Sequence, residues 1–326
     1  MRIGEKAGLP AGTKQMRDAF GEALVELARA DARVVALDGD LSSSTGMGAM
    51  RKAFPERFFN IGIAESNLVG VSAGFAASGY IPFVGSLPSF LLSNAYDQLR
   101  LQVAIAGLSV KLLGSHAGIS TGREGPTSMS IEDLALTSAL PGFTILVPSD
   151  QTSMAAAVFA AAEHKGPVYI RSSRGAFAQV YADGKCRLAI GQANLVRPGG
   201  DVSLLACGMM TGVALDAAAL LAEKGCQARV LDMLSLNPLD RPAIAAAARE
   251  TGAIVTAEEH LVRGGLGSSV ALIVAEEHPV PVRFVGIRDT YMESASVEEL
   301  MSRHRLTAQD IVRAAEEAIA AKRKGE

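Results

Sequence analysis

Four short segments of this chain combine glycines and hydroxyl groups with single ionisable side chains: residues 37–46, 60–67, 115–127 and 171–175. Such residue types can bind and orient a ligand. The segment 60–67 also holds a glutamate among apolar residues, a setting that suits a carboxyl group to proton sharing.

These segments follow or adjoin strands that the sequence predicts. Short β-branched runs alternate with longer helical patterns, which predicts parallel strands joined by right-handed crossovers. We therefore expect an α/β fold with two doubly wound domains and mainly parallel sheets covered on both faces. Ligands of such sheets bind at the carboxyl ends of strands. Predicted strands cover residues 34–37, 81–84, 110–113, 144–147, 168–170, 202–206, 228–231, 254–256 and 282–285; predicted helices cover 14–30, 65–78, 91–106, 151–164, 212–224, 241–249 and 307–322.

Composition excludes several classes of protein. The chain has 326 residues, of which 49% are hydrophobic and 20% charged, so disorder is not expected. Its net charge of −3 gives no electrostatic case for binding nucleic acid or an anionic membrane. Three cysteines without a C-x-x-C spacing argue against a disulfide scaffold or a thiolate zinc site, and we expect a cytoplasmic protein. Glycines and prolines interrupt the uncharged stretch 66–96, which favours a buried segment over a membrane span.

The length suggests two domains. The alternating pattern weakens between Gly175 and Gly200, where residues 181–185 and 197–200 have the composition of turns. We place the boundary there, with one domain over residues 1–185 and the other over 186–326.

Five stretches carry a resemblance to the second half of transketolase, a thiamine diphosphate-dependent enzyme. They are residues 16–20, 38–44, 62–67, 95–98 and 114–118. The resemblance extends from about Thr13 to the last helix and implies a pyrimidine-binding domain followed by a transketolase C-terminal domain. It also implies an enzyme that transfers a two-carbon ketol unit (a glycolaldehyde transferase) from a ketose phosphate to an aldose or aldose phosphate acceptor.

The resemblance assigns Glu65 as the catalytic residue and as a cofactor contact. In this family a glutamate hydrogen-bonds N1′ of the cofactor's pyrimidine ring and favours the imino tautomer of its amino group. The ordinary alternative is a glutamate at a helix start, where the helix dipole stabilises it. The pyrimidine ring usually stacks on an aromatic residue in the segment 86–91, where Phe90 matches one such position and Leu87 stands at another.

Four further residues match those that hold the sugar phosphate in transketolases: Arg17, Ser44, His116 and Arg174. Each has an ordinary alternative, namely surface ion pairs for the arginines, a helix cap for the serine and a strand-end position for the histidine. Two positions depart from the family: Glu124 stands where aspartate is common, and Ser128 where histidine is common. Both should therefore bear on substrate specificity, and the usual ketose and aldose phosphates are not expected to be the substrates.

The chain lacks the Gly-Asp-Gly motif followed by asparagine that holds Mg²⁺ and the diphosphate in this family. Gly39-Asp40-Leu41 with Asn67 imitates its spacing, but the third residue is leucine and the loop already matches the pyrimidine-side domain. The resemblance therefore implies an N-terminal partner subunit that carries the metal ligands, with no metal site in this chain. An α2β2 heterotetramer is the simplest assembly.

Three alternatives stay open. The chain could be the β subunit of a 2-oxo acid dehydrogenase E1, a part of a deoxyxylulose-phosphate-synthase-like enzyme, or a non-catalytic regulatory subunit. Two further clusters, residues 258–260 and 276–278, could resemble ligand sets, but neither has a second histidine at helical spacing. We interpret both as solvated loops or helix ends. The loop 263–267 precedes a helix whose free amides could hold an anion.

Overall fold

The first sheet has seven strands in the order β10-β5-β6-β4-β3-β1-β2, and all pairs are parallel except β10 with β5. A computed structural model describes residues 2–325, with side chains as far as residue 323. The six strands from the first half of the chain are β1 (Val34–Asp38), β2 (Phe58–Asn60), β3 (Ile81–Ser86), β4 (Lys111–Ser115), β5 (Thr144–Leu146) and β6 (Val168–Ser172).

The second sheet has five strands in the order β12-β11-β8-β9-β7, and only the edge strand β7 is antiparallel to its neighbour. Its strands are β7 (Asn194–Arg197), β8 (Val202–Ala206), β9 (Ala228–Asp232), β11 (Ile254–Leu261) and β12 (Val282–Ile287). Strand β10 (Ser235–Asn237) lies between β9 and β11 in the chain but joins the first sheet.

Helices cover the sheets. Those of the first half are α1 (Met16–Ala30), α2 (Ser42–Thr45), α3 (Gly48–Ala53), α4 (Glu65–Ala77), α5 (Pro88–Leu91), α6 (Tyr96–Gln98), α7 (Asp133–Ser138) and α8 (Gln151–Glu163). Those of the second half are α9 (Met210–Glu223), α10 (Arg241–Thr251), α11 (Leu266–Glu277), α12 (Val297–Arg303) and α13 (Ala308–Gly325). Short 3₁₀ segments occur at Pro55–Arg57 and Gly118–Glu124, and a π-helical turn at Leu99–Ala104.

The predicted α/β alternation is confirmed, because each of the nine predicted strands overlaps an observed one. The continuous helix predicted over residues 91–106 is wrong. The chain there forms the end of α5, then a turn at residues 92–95, and then α6, which runs directly into the π-helical turn. The start predicted for the last helix is confirmed in detail, since the Thr307 amide donates to Asp310 Oδ2 at 3.0 Å and the Asp310 amide to Thr307 Oγ1 at 3.4 Å.

The two halves share apolar packing. One cluster runs from Leu37 and Leu112 in the first sheet to Leu205 and Ile254 in the second. Strand β10 also belongs to the second half of the chain but pairs with β5 in the first sheet. This strand and the shared packing hold the two domains against each other. The boundary at residue 185 stays a prediction.

Among the helices in residues 2–325, none is long and apolar enough to cross a membrane.

Candidate active site

The residues that the sequence singles out follow five neighbouring strands of the first sheet, β6-β4-β3-β1-β2. Arg174 comes after β6, His116 after β4, Phe90 after β3, Ser44 after β1 and Glu65 after β2. Because these strands are parallel, their carboxyl ends lie along one edge. The structure thus brings the residues to a single edge of the sheet, where open α/β sheets bind ligands.

Glu65 begins α4 and is 4% exposed. Its Oε1 atom accepts a hydrogen bond of 3.0 Å from the hydroxyl of Ser86, the last residue of β3. No donor among the described residues bonds Oε2, which leaves that atom available to a ligand. Gly39 lies beside this carboxyl group, since a Cβ atom there would be in ordinary contact with Oε1 at 3.6 Å.

The apolar surroundings predicted for Glu65 are partly present. Leu68 and Val69 are fully buried in α4, but Ile63 is 82% exposed. The chain therefore covers Glu65 itself but exposes an apolar side chain two residues away. The two residues predicted to contact the pyrimidine ring also differ in exposure, since Leu87 is buried and Phe90, in α5, is half-buried. Phe90 is therefore the more accessible of the two to a ring.

The loop that carries Ser44 is held by Asp38, the buried last residue of β1. Its carboxylate accepts from the Thr45 hydroxyl at 2.6 Å and from the Leu41 amide at 2.5 Å. Burial raises the pKa of Asp38 to about 6. The carbonyl of Ser44 accepts a 2.8 Å bond from the Ser115 hydroxyl, which ties the β1 and β4 loops together.

Arg17 reaches the same edge from the first turn of α1. The amide of its neighbour Met16 donates to the Gly175 carbonyl at 3.0 Å, which docks the helix start beside the loop after β6. Gly46 lies against the Arg17 backbone so closely that a Cβ atom there would be 2.0 Å from the Arg17 carbonyl oxygen. Glycine is thus required at position 46 for this approach.

His116 is buried, and its backbone has a φ of +63°. Burial lowers the pKa of its imidazole to about 4, with the positive charges of Arg174 and Arg17 adding to the effect. That dependence also shows that both arginines lie near the ring. The ring is therefore neutral near pH 7 in this structure.

Arg174 is exposed and pairs with Glu124. Its amide donates to the Ser120 hydroxyl at 2.8 Å, so the loop after β6 is bonded to the loop after β4. The predicted specificity residue Glu124 therefore contacts a predicted phosphate residue. The other, Ser128, is half-buried, and its carbonyl accepts a 3.3 Å bond from the Ser89 hydroxyl beside Phe90.

The interpretation of residues 258–260 as a solvated loop or helix end is wrong. Glu258, Glu259 and His260 lie in β11 and are at most 1% exposed. Burial raises the pKa of Glu258 to about 8 and lowers that of His260 to about 4. The error arose because three successive polar residues resemble a loop, and only the tertiary packing provides their partners: Glu259 and His260 are bonded by groups of the first domain, and Glu258 by amides of its own domain. Residues 276–278 are exposed at the end of α11, as predicted.

The amides of the loop 263–267, which the sequence suggested as an anion site, bond a side chain of this chain instead. The amides of Leu266 and Gly267, at the start of α11, donate to the two carboxylate oxygens of Glu258 at 2.7 and 2.8 Å. A side chain of this chain thus takes the place of a ligand at that helix start.

Sequence reasoning missed Ser86, Ser115 and Asp38 as residues that hold the site. The only signal was a polar residue at the end of an apolar strand, which is too common to single out. No group of three or more histidines, cysteines, aspartates or glutamates in the described part of the chain could hold a metal ion.

The chain thus has two parallel α/β domains, with a buried carboxyl group and several basic residues at the strand ends. Family profiles identify the class of enzyme that has this arrangement. The profile "Transketolase, pyrimidine binding domain" matches residues 13–179, and "Transketolase, C-terminal domain" matches residues 191–311. The chain therefore belongs to the transketolase family. Within that family it corresponds to the C-terminal subunit of a split transketolase, which confirms the assignment made from the sequence.

Named relatives support the split arrangement. The chain is 42% identical over 302 residues to the 6-deoxy-6-sulfo-D-fructose transketolase subunit SqwH of Clostridium sp. (strain MSTE9), covering 93% of this chain and 94% of that one. It is 37% identical over 299 residues to an apulose-4-phosphate transketolase subunit of Phocaeicola vulgatus, covering 92% and 96%. A solved structure titled "Split gene transketolase, inactive beta4 tetramer" superposes with a TM-score of 0.87 at 44% identity, covering 94% and 98%.

Proposed function

We propose that this chain works with an N-terminal partner subunit as a transketolase that uses thiamine diphosphate and moves a two-carbon ketol unit between sugar phosphates. The observation that carries the proposal is the row of Glu65, Ser44, Phe90, His116 and Arg174 along the carboxyl ends of five adjacent strands. A phosphate set and a buried carboxyl group on one edge suit a substrate that is bound by its phosphate while its carbonyl end reacts.

The residues around Glu65 fit the pyrimidine ring of the cofactor. One carboxylate oxygen is held by Ser86, and the other has no partner among the described residues, so it can face a ring nitrogen. Glu65 would hold a shared proton at that nitrogen, and Phe90 would offer an apolar ring face. When bound, the cofactor supplies the carbanion stabilisation needed to break a carbon–carbon bond beside a carbonyl group.

Arg17, Ser44, His116 and Arg174 would orient the phosphate end of the substrate. The two arginines provide positive charge and the planar donor geometry that suits phosphate oxygens. Glu124, paired with Arg174, would be displaced from it or would bind a substrate hydroxyl group. Together with Ser128, it would distinguish this enzyme's sugar from the usual ketose and aldose phosphates.

The partner subunit would supply the Mg²⁺ and diphosphate ligands. The exposed Ile63 beside Glu65 suits a site that a second polypeptide completes. We propose an α2β2 assembly as the simplest symmetric arrangement. We also propose a cytoplasmic location, which the three free cysteines of the chain fit because they suit a reducing compartment. The solved relative titled an inactive β4 tetramer is in keeping with a need for the second subunit.

The test is co-expression of this chain with its partner, followed by a screen of phosphorylated ketose donors with aldose phosphate acceptors. Glu65→Ala should lower turnover at least about 100-fold while the assembly keeps its size, because the proton-sharing group is removed. Glu163→Ala is the control, since Glu163 is exposed at the far end of α8, and it should leave turnover unchanged.

Other outcomes would point to the rivals. Turnover of a 2-oxo acid alone would favour a dehydrogenase subunit. Condensation of pyruvate with glyceraldehyde phosphate would favour a deoxyxylulose-phosphate-synthase-like enzyme. If the complex catalyses ketol transfer and Glu65→Ala leaves it unchanged, Glu65 has no catalytic role and the chain is a regulatory subunit.

A further inference from the structure

A buried ionic cluster joins the two domains directly beneath the proposed phosphate residues. Arg171 of β6 donates through Nε to Asp133 Oδ2 at 2.8 Å, and through Nη1 to Glu259 Oε1 at 3.2 Å. Its Nη2 donates to the Glu259 carbonyl at 3.1 Å. The three side chains are at most 2% exposed, so the arginine is enclosed by one carboxylate from each domain.

Glu259 also bonds the strand end that carries Arg174. The hydroxyl of Ser173, the residue before Arg174, donates to Glu259 Oε1. The carbonyl of Ser172 accepts a 3.0 Å bond from the Ala117 amide, which fixes the residue after His116. The Glu259 carboxylate therefore bonds the residue before Arg174. The next residue back, Ser172, is joined by a backbone hydrogen bond to the loop of His116.

The backbone of that loop also rests on the cluster. Gly118 has a φ of +62°, and a Cβ atom there would lie 2.7 Å from both Arg171 Nη2 and the Glu259 carbonyl oxygen. No side chain other than hydrogen fits this contact. The position of the loop after β4 is thus set by the arginine and glutamate beneath it.

The topology explains why Glu259 occupies this place. In the second sheet, β8 lies between β9 and β11. The chain passes from β8 to β9 on one side of it, and later returns to β11 on the other side before it continues to β12. The carboxyl ends of β8 and β11 therefore form the crevice where doubly wound domains bind ligands. Here Arg171 of the first domain enters that crevice and takes the position of a ligand.

We infer that Glu259 is a positioning residue for the substrate phosphate group, an inference that rests on the proposed function of Arg174 and His116. Its carboxylate balances the charge of Arg171 and holds Ser173, so the two loops present their donors at a fixed separation. The second domain then acts on substrate binding without touching the substrate.

A neighbouring residue provides a matched control. Glu258 is equally buried in the same strand, but its carboxylate bonds the amides at the start of α11 and no group of the first domain. Glu258→Gln therefore changes a buried glutamate of the second domain without removing a bond to either loop. It separates a general loss of stability from a specific loss of positioning.

The experiment compares Glu259→Gln, Ser173→Ala and Glu258→Gln in the complex with the partner subunit. For the first two variants we expect the KM of the phosphorylated acceptor to rise about tenfold, with kcat within about twofold. The KM of the same sugar without its phosphate should not change. Glu258→Gln should keep both KM values even where it lowers Tm. An unchanged KM in Ser173→Ala, or an equal rise for the sugar without phosphate, would overturn the inference.

A second measurement is independent of ketol transfer. The Tm of the chain alone is recorded with increasing inorganic phosphate against chloride at equal ionic strength, with Arg174→Gln as the variant that lacks the site. Wild type and Glu258→Gln should gain stability from phosphate, and Ser173→Ala and Glu259→Gln should gain less. If the complex catalyses no ketol transfer but this order holds, the proposed function fails and the positioning role stands. Equal gains in all variants would refute the role.

Discussion

The hydroxyl of Ser115 lies 2.8 Å from Nδ1 of His116 and, at the same time, 2.8 Å from the carbonyl oxygen of Ser44. A hydroxyl has one proton, and a carbonyl can only accept, so Ser115 donates to Ser44 and accepts from the ring. The neutral imidazole therefore carries its proton on Nδ1. Its Nε2 atom is then an acceptor and can donate to an anion only after the ring takes up a second proton.

Anion binding should therefore be coupled to protonation of His116. Burial and two arginines lower the pKa of the free ring to about 4, and a bound anion at Nε2 would raise it. Sulfate keeps its charge between pH 8 and pH 5, so its affinity should increase as the pH falls, by up to about tenfold per pH unit between the pKa of the ring in the complex and its pKa of about 4 in the free protein. Calorimetric titration in two buffers of different ionisation enthalpy measures the proton taken up.

His116→Gln is the comparison for this prediction. Its amide group donates at every pH, so sulfate affinity should lose its pH dependence. Equal pH dependence in wild type and variant would show that His116 does not take up a proton.

The hydrogen bond from Ser86 should matter for turnover. Ser86→Ala leaves Glu65 Oε1 without its 3.0 Å donor and frees the carboxylate to rotate, so kcat should fall about tenfold, which corresponds to roughly 1.4 kcal/mol. Initial rates of the complex under saturating substrate measure it. Ser72→Ala serves as the control, because the Ser72 hydroxyl is also buried but bonds only the Val69 carbonyl of its own helix. The same kcat in both variants would argue against a role for Ser86 in holding Glu65.

Gly118 should tolerate alanine much less well than another glycine of similar conformation. Gly118→Ala combines a left-handed backbone with contacts of 2.7 Å to Arg171 and Glu259, whereas Gly142, at a φ of +85°, has open space around it. The backbone cost is about 1–2 kcal/mol in each, and the contact should add at least about 1 kcal/mol in Gly118→Ala alone. Thermal unfolding of both variants measures the difference. Equal Tm values would mean that the loop moves away from the cluster at little cost.

Local patterns were sufficient for the architecture and for placing the candidate residues after neighbouring strands. Burial of β1 produces an apolar run at residues 34–37, and the residue types after each strand could be read without knowing the fold. Residues 91–106 were misjudged because their apolar pattern resembles one helix, whereas the turn at residues 92–95 separates α5 from α6. Periodicity reports which faces are buried, and it reports interruptions only weakly.

The amino-acid sequence by itself determined the alternating strands and helices, the family resemblance and the identity of the strand-end residues, since each depends on short-range order along the chain. Only the tertiary structure decided that Glu259 is buried and that it bonds Arg171, which lies 88 residues away. A run of glutamates has the composition of a solvated loop, and it is stable inside the protein because another domain supplies the opposite charge. That pairing is a property of how the two sheets pack, which no local pattern encodes.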